Sequence, residues 1–235
     1  NYLKKRKYKY LIMNIFRFSK KITVQFDEYI NQYPNYLRNK IIAIPNAVEN
    51  TNIDDKVIFN KKNIILCVAR DCHQKNVEVL IRAFSMVDKK LDWKLILCTS
   101  EGSENKFKEL IKELNINKKI EFLNPRKDLS DLYMKSAIFC LPSYFEGFPN
   151  AIAEALNNNI PVLSSNNHGG INEILLNNKG GETYKVGNKH DLIYKIKKIL
   201  GNYGHYTKKT LFAKKKLNRF TNKNIKNYEK IFDQV

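Results

Sequence analysis

Residues 138–156 read IFCLPSYFEGFPNAIAEAL. The apolar run over 137–141 predicts a strand, and Pro142 stops it, because proline brings no N–H to the next rung of a ladder. A short loop with Glu146 and Gly147 follows, and Pro149 predicts the first position of a helix, which its fixed φ and missing N–H suit. Strand, tight loop and helix N-terminus in succession make an anion site. N–H groups near Phe148, Asn150 and Ala151 would face whatever lies above the strand end, and the helix dipole favours negative charge there by roughly 0.3–2 kcal/mol. Phosphate is the expected ligand. On the helix, Ile152, Ala155 and Leu156 form the inward stripe, while Asn150 and Glu154, four apart, share the opposite face, so Glu154 is expected to look toward the site.

Outward from this stretch the pattern alternates. Strands are predicted at 64–69, 93–98, 120–123, 137–141, 160–163 and, more weakly, 183–186. Helices are expected between them, with Val77, Leu80, Ile81, Phe84 and Val87 at helical spacing, then Phe107, Leu110, Ile111 and Leu114, then segments near 128–135, 149–158, 170–177 and 190–200. Apolar strands alternating with amphipathic helices mean an α/β fold, a doubly wound parallel sheet with helices on both faces. Ahead of it, a basic helix packed by Leu11, Ile12, Ile15 and Phe16 is expected, then a strand at 21–25, a helix-like piece at 26–33 and a strand at 38–44. Beyond Gly201 the chain is Lys-rich and helical in pattern, with Leu211, Phe212, Lys215, Phe220, Tyr228 and Phe232 as expected anchors. Residues 1–48, 49–201 and 202–235 therefore read as three parts.

The 235 residues suffice for one substantial domain with extra pieces. No apolar run approaches the 18 residues of a membrane span, and residues 1–12 lack the apolar centre of a signal peptide. A soluble, cytoplasmic chain is expected, a piece of a longer protein. Four cysteines, three of them in apolar strand-like runs, read as reduced core thiols. The net charge of +19 reflects lysines spread along the chain. It suits solvated faces, or attraction to phosphorylated substrates or to an anionic membrane surface. Nucleic acid is not expected, because no finger, RNP-like aromatic motif or helix-turn-helix accompanies the charge.

In a doubly wound sheet, ligands bind beyond the carboxyl ends of the strands. Those ends carry Arg70 and Lys75, then Ser100 to Gly102, then Asn124 to Arg126, then Glu146 to Asn150, then Ser164 to Asn167. Arg70 offers a planar fork and Lys75 a point charge to a diphosphate, each charged hydrogen bond contributing roughly 1.5–3 kcal/mol. Two carboxylates beside a phosphate would repel it unless they held other parts of the same ligand, for which sugar hydroxyls are the usual partners. Cys72 and His73 lack the ligands for a metal site. His168 has no acid partner. No metal or other cofactor is expected.

These residues resemble the retaining glycosyltransferases of family 4, enzymes of GT-B fold that use nucleotide-sugar donors. The resemblance covers roughly residues 20–200 and rests on IPN at 44–46, R-x4-K at Arg70 and Lys75, E-x7-E with GFPN from Glu146 to Glu154, and GG-x-x-E from Gly169 to Glu173. Ala47, Ala69 and Asn76 stand where that family usually has glycine. It implies that Arg70, Lys75 and Glu146 carry catalysis, with Glu146 on the donor sugar and Glu154 on the ribose. Gly147, Phe148, Pro149 and Asn150 would hold the diphosphate, and Asn124 and Arg126 would lie beside the base. Gly169, Gly170 and Glu173 would either pack and support the Glu146 loop through a hydrogen bond or contact the ligand. It further implies transfer of a hexose or N-acetylhexosamine, from UDP more readily than from GDP, to a glycan or lipid-linked acceptor in surface polysaccharide synthesis. Residues 1–48 would be what remains here of an acceptor-binding domain, and the enzyme would work on the inner face of the membrane. Two alternatives stand beside it: a sugar-nucleotide 2-epimerase of the same fold, and a nucleotide-binding module without turnover.

Overall fold

A computed structural model of the chain describes residues 6–48, 62–87, 92–166, 170–220 and 223–232. It divides into two units, residues 1–49 with 220–235, and residues 50–219.

The larger unit holds strands β3 (Lys62–Val68), β4 (Lys94–Cys98), β5 (Ile120–Leu123), β6 (Ser136–Leu141), β7 (Val162–Asn166) and β8 (Glu182–Lys185), following β1 (Ile22–Val24) and β2 (Ile41–Ala43) of the smaller unit. All pair in parallel, in the order β5-β4-β3-β6-β7-β8. In β6 every residue is buried, as a central parallel strand covered on both faces requires. The order reverses between β3 and β6, so the crevice at their carboxyl ends is the switch point where such sheets bind ligands. The doubly wound expectation holds.

Helices α3 (Val77–Phe84), α4 (Ser103–Glu113), α5 (Ser130–Lys135), α6 (Asn150–Asn157), α7 (Ile171–Ile174), α8 (Lys189–Gly201) and α9 (Tyr203–Lys216) belong to the same unit. The apolar spacing works as expected in α3, whose Val77, Leu80, Ile81 and Phe84 are buried. Helix α8 begins at Asn188, whose side chain accepts hydrogen bonds from the N–H groups of His190 and Asp191. Three local expectations need correction. Strand β7 runs over Val162–Asn166 instead of 160–163: Asn159 turns at φ 57° and Pro161 has no N–H for the ladder. Pro149 occupies the N-cap, not the first helical position, with φ −81° and ψ 75°. Helix α9 buries Tyr206, Thr207, Thr210 and Ala213, whereas Phe212 is 45% exposed. Polar groups set that phase: the Tyr206 hydroxyl donates to Glu182 (2.7 Å) and Thr210 Oγ1 to the Tyr206 carbonyl (3.0 Å).

Two glycines just ahead of β8 lie tight against neighbouring elements. A Cβ at Gly181 would lie 2.9 Å from the Val162 carbonyl oxygen and 3.0 Å from Leu175 Cδ2, and one at Gly180 would collide with Ala213. Gly181→Ala is expected to cost about 1–3 kcal/mol by overpacking, lowering the melting temperature by roughly 3–10 °C. Calorimetric melting checks it.

The smaller unit begins with α1 (Arg6–Phe18), β1 (Ile22–Val24), a 3-10 turn at Asp27–Gln32, α2 (Asn35–Arg38) and β2 (Ile41–Ala43). Strands β1 and β2 pair in parallel, and Met13, Ile22, Val24, Leu37 and Ile41 form its core, flanked by Phe16, Tyr29, Ile30 and Tyr33. Met13 anchors α1, while Ile15, expected to pack, is 57% exposed. The strand expected at 38–44 shortens to three residues, because Pro34 opens a helical turn that buries Leu37. Helix α10 (Lys223–Phe232) belongs to this unit, and its Tyr228 hydroxyl donates to the Ile44 carbonyl (3.4 Å).

Candidate functional site

The loop leaving β3 and the loop leaving β6 meet at the switch point. After β3 come exposed Arg70, half-buried Asp71 and Cys72, and a 3-10 turn at His73–Lys75. Asn76 then takes φ 47° to start α3. That left-handed conformation explains a glycine at this position in the resembling family, and asparagine is among the few other residues that adopt it readily. The turn delivers Lys75 to Glu146. Lys75 Nζ lies 2.7 Å from Glu146 Oε1 and 2.9 Å from Oε2, with the lysine side chain 16% and the glutamate side chain 6% exposed. The two most central strands thus bring their charged residues into one buried pair, across 71 positions of sequence.

Backbone-directed bonds hold the same junction. Gln74 Nε2 donates to the Phe145 carbonyl (2.9 Å), and the Tyr144 N–H donates to the Gln74 carbonyl (2.7 Å). His73 stacks on Tyr144 at 5.0 Å between ring centres. The β3 loop is also tied to β4: the Asp71 N–H donates to Ser100 Oγ (3.0 Å) and Lys106 Nζ to Asp71 Oδ1 (2.8 Å). Ser164 and Ser165, expected to offer polar groups to the crevice, lie buried inside β7, where Ser164 Oγ donates to the Leu141 carbonyl (3.0 Å) and Ser165 Oγ to the Ser143 carbonyl. Their hydroxyls satisfy the end of β6 instead.

Helix α6 starts beside this pair. Phe148 and Pro149 are buried, Gly147 and Asn150 exposed, and a Cβ on Gly147 would meet nothing within 4 Å. Of the N–H groups expected to face a ligand, that of Asn150 donates to the Phe148 carbonyl (3.0 Å) and is spent within the turn. Ile152, Ala155 and Leu156 are buried and Glu154 is exposed, as the helical spacing predicts. Glu154 Oε2 accepts from the Tyr133 hydroxyl at 2.8 Å, a contact with no sequence signal beyond a tyrosine in the helix before β6.

Other expected site residues lie further out. Asn124 and Arg126 follow β5 and are exposed. The Asn124 carbonyl accepts from Cys98 Sγ (3.6 Å), and Arg126 pairs with Asp131 of α5. Arg126 also borders a cavity of about 700 Å³ lined by Lys62, Lys94 and Glu121, which none of Arg70, Lys75, Glu146 or Glu154 touches. Gly170 is the N-cap of α7 and the Glu173 carbonyl accepts from Arg219. His168 and Gly169 fall outside the described residues. Burial pushes the Cys67 thiol up to about 12, with Lys75 pulling the other way, and raises Cys98 and Cys140 as well. Among the described residues, no three His, Cys, Asp or Glu side chains gather as metal ligands, and no helix is long and apolar enough to cross a membrane.

A switch-point crevice beside a helix N-terminus is where open α/β sheets bind anionic ligands. The family model described as glycosyl transferases group 1 matches residues 48–225, and the chain belongs to that family. It is 34% identical over 190 residues to a probable sucrose-phosphate synthase of Thermosipho melanesiensis, covering 75% of this chain and 43% of that one. Over 162 residues it is 30% identical to an N-acetylgalactosamine-N,N'-diacetylbacillosaminyl-diphospho-undecaprenol 4-alpha-N-acetylgalactosaminyltransferase of Campylobacter jejuni, covering 66% and 43%. Anabaena Alr3699/HepE, solved in complex with UDP and glucose, shares the fold at a TM-score of 0.82 and 17% identity, over 98% of this chain and 68% of that one. The chain spans about half the length of the curated relatives it matches.

Proposed function

We propose that the chain is the nucleotide-sugar-binding part of a retaining glycosyltransferase, moving a hexose or N-acetylhexosamine from UDP to a glycan or lipid-linked acceptor in surface polysaccharide synthesis. The Lys75–Glu146 pair at the carboxyl ends of β3 and β6 carries this reading, since it sets a cation and a carboxylate where a diphosphate and its sugar would meet. The exposed Arg70 guanidinium supplies a second cation on the same loop. Arg70, Lys75 and the α6 N-terminus stabilise the departing diphosphate, a charge that develops as the sugar bond breaks. Glu146 accepts from sugar hydroxyls and Glu154 from the ribose. The acceptor hydroxyl attacks from the face the leaving group vacates, which retains the anomeric configuration. Two cations and a helix dipole neutralise the diphosphate here, so the reaction as proposed enlists no metal. A lipid-linked acceptor suits a chain of net charge +19, which an anionic bilayer surface attracts.

Calorimetric titration of the chain with UDP and GDP tests the reading. UDP is expected to bind in the presence of EDTA, and Arg70→Ala to weaken it by roughly ten- to a hundredfold, the loss of one charged hydrogen bond. Absence of binding by either nucleotide, or unchanged affinity in the variant, overturns it.

A further inference from the structure

Tyr133 has no part in the site so far, and its position is unusual for a packing residue. It is 2% exposed, its ring lies 5.9 Å from that of Phe139 on β6, and its hydroxyl emerges at an exposed glutamate. The partner is Glu154 Oε2 at 2.8 Å. Among the described residues, no other side chain is bonded to the Glu154 carboxylate.

A buried tyrosine needs some acceptor for its hydroxyl, so the contact has to be weighed from the side of the glutamate. An exposed glutamate on the second turn of a helix ordinarily samples several rotamers, and ordering it on a ligand costs side-chain entropy. Here one carboxylate oxygen is already held. The holder sits on α5, the segment that crosses from β5 to β6, and its ring packs against the central strand whose far end carries Glu146. Glu154 is therefore fixed relative to the same strand that fixes the Lys75–Glu146 pair. Burial, and secondarily Glu154 itself, raises the Tyr133 pKa, so the phenol stays an O–H donor at neutral pH.

We propose that Tyr133 is a positioning residue for the nucleoside: its hydroxyl holds Glu154 Oε2 so that the carboxylate is preset to accept hydrogen bonds from the two ribose hydroxyls. This rests on the reading of Glu154 as the ribose ligand. Tyr133 touches no substrate and acts only through Glu154. Without its hydroxyl the diphosphate contacts of Arg70 and Lys75 remain, and only the contribution of the ribose hydroxyls falls.

The test is a ratio measured within each protein. UDP, GDP and ADP are titrated calorimetrically into the 235-residue chain, and the tightest is then compared with its 2′,3′-dideoxy form. Wild type is expected to prefer the ribo form at least tenfold. In Tyr133→Phe that preference is expected to shrink to within about threefold, through weaker binding of the ribo form at unchanged affinity for the dideoxy form. Glu154→Gln should abolish the preference, and adding Tyr133→Phe to it should change nothing more. A parallel loss of both forms in Tyr133→Phe, or a preference kept at the wild-type level, overturns the proposal while leaving Glu154 as ribose ligand. A wild-type chain that binds none of the three nucleotides, or binds ribo and dideoxy forms alike, overturns the ribose reading and the proposal together. Because both forms are measured in each variant, general destabilisation cancels from the ratio.

Discussion

Lys75→Ala is expected to weaken UDP binding by roughly ten- to a hundredfold and to destabilise the fold, whereas Glu146→Gln should leave UDP bound at least as tightly as wild type does. The asymmetry follows from the buried pair. Glu146 has a side chain 6% exposed and its lysine 2.7 Å away. Removing the lysine strands a carboxylate in low dielectric, at a cost on the order of 3 kcal/mol, and in the proposed donor site deletes one charged bond to phosphate, worth roughly 1.5–3 kcal/mol. Glutamine at 146 keeps the shape and frees the ammonium from a competing anion. In the proposed donor site it also removes the charged acceptor for sugar hydroxyls, while nucleotide affinity holds. Urea unfolding and calorimetric titration of both variants measure the two effects. Equal loss of UDP affinity in the two would mean that the pair serves only the fold.

The second large effect lies at the opposite end of the sheet. Glu182 opens β8, is 5% exposed, and accepts from Lys195 (2.6 Å), Lys198 (3.2 Å) and the Tyr206 hydroxyl (2.7 Å). It ties the edge strand to both C-terminal helices of the unit. Glu182→Ala leaves that group of donors without its common acceptor and is expected to cost about 3 kcal/mol. Burial alone would raise the Glu182 pKa, but the bonds from Lys195, Tyr206 and Lys198 outweigh it and hold the value below the ordinary 4.5. A carboxyl whose pKa is depressed by folding stabilises fully above its unfolded value, and that contribution disappears as pH falls through the folded one. The stability difference between wild type and Glu182→Gln should therefore be constant from neutral pH down to about 5 and close steadily below 4.5. Urea titrations across that range measure it. A difference that widens on acidification would contradict the assignment.

Much of the architecture was legible because parallel strands buried on both faces have to be continuously apolar. ILCV, LILC and IFCL announce themselves, and so do the loops that follow them. Of the site, the residue types at the strand ends were legible from spacing: Glu154 on the outer face of α6, Lys75 and Glu146 at the two central carboxyl ends. Their mutual contact was not, because nothing local to either residue specifies a partner 71 positions away. Tyr133 was invisible for a related reason, since its apolar ring satisfies the helix period and its hydroxyl acts out of sight of it. Helix α9 was read in the wrong phase because its inward face uses a tyrosine and two threonines, Tyr206, Thr207 and Thr210, and leaves Phe212 outside. Where polar side chains find partners in the interior, hydrophobic periodicity loses its hold.

The junction at Gln74 bears on how this crevice could be altered by design. Of the atoms in its two hydrogen bonds, one belongs to a side chain, the Gln74 amide; the rest are main chain. Exchange of the residues at 144 and 145, proline at 144 aside, therefore cuts neither bond, and the side chains beside the crevice can be varied while Lys75 and Glu146 keep their meeting point. A library confined to those two positions leaves the junction standing; one that included 74 puts it at risk.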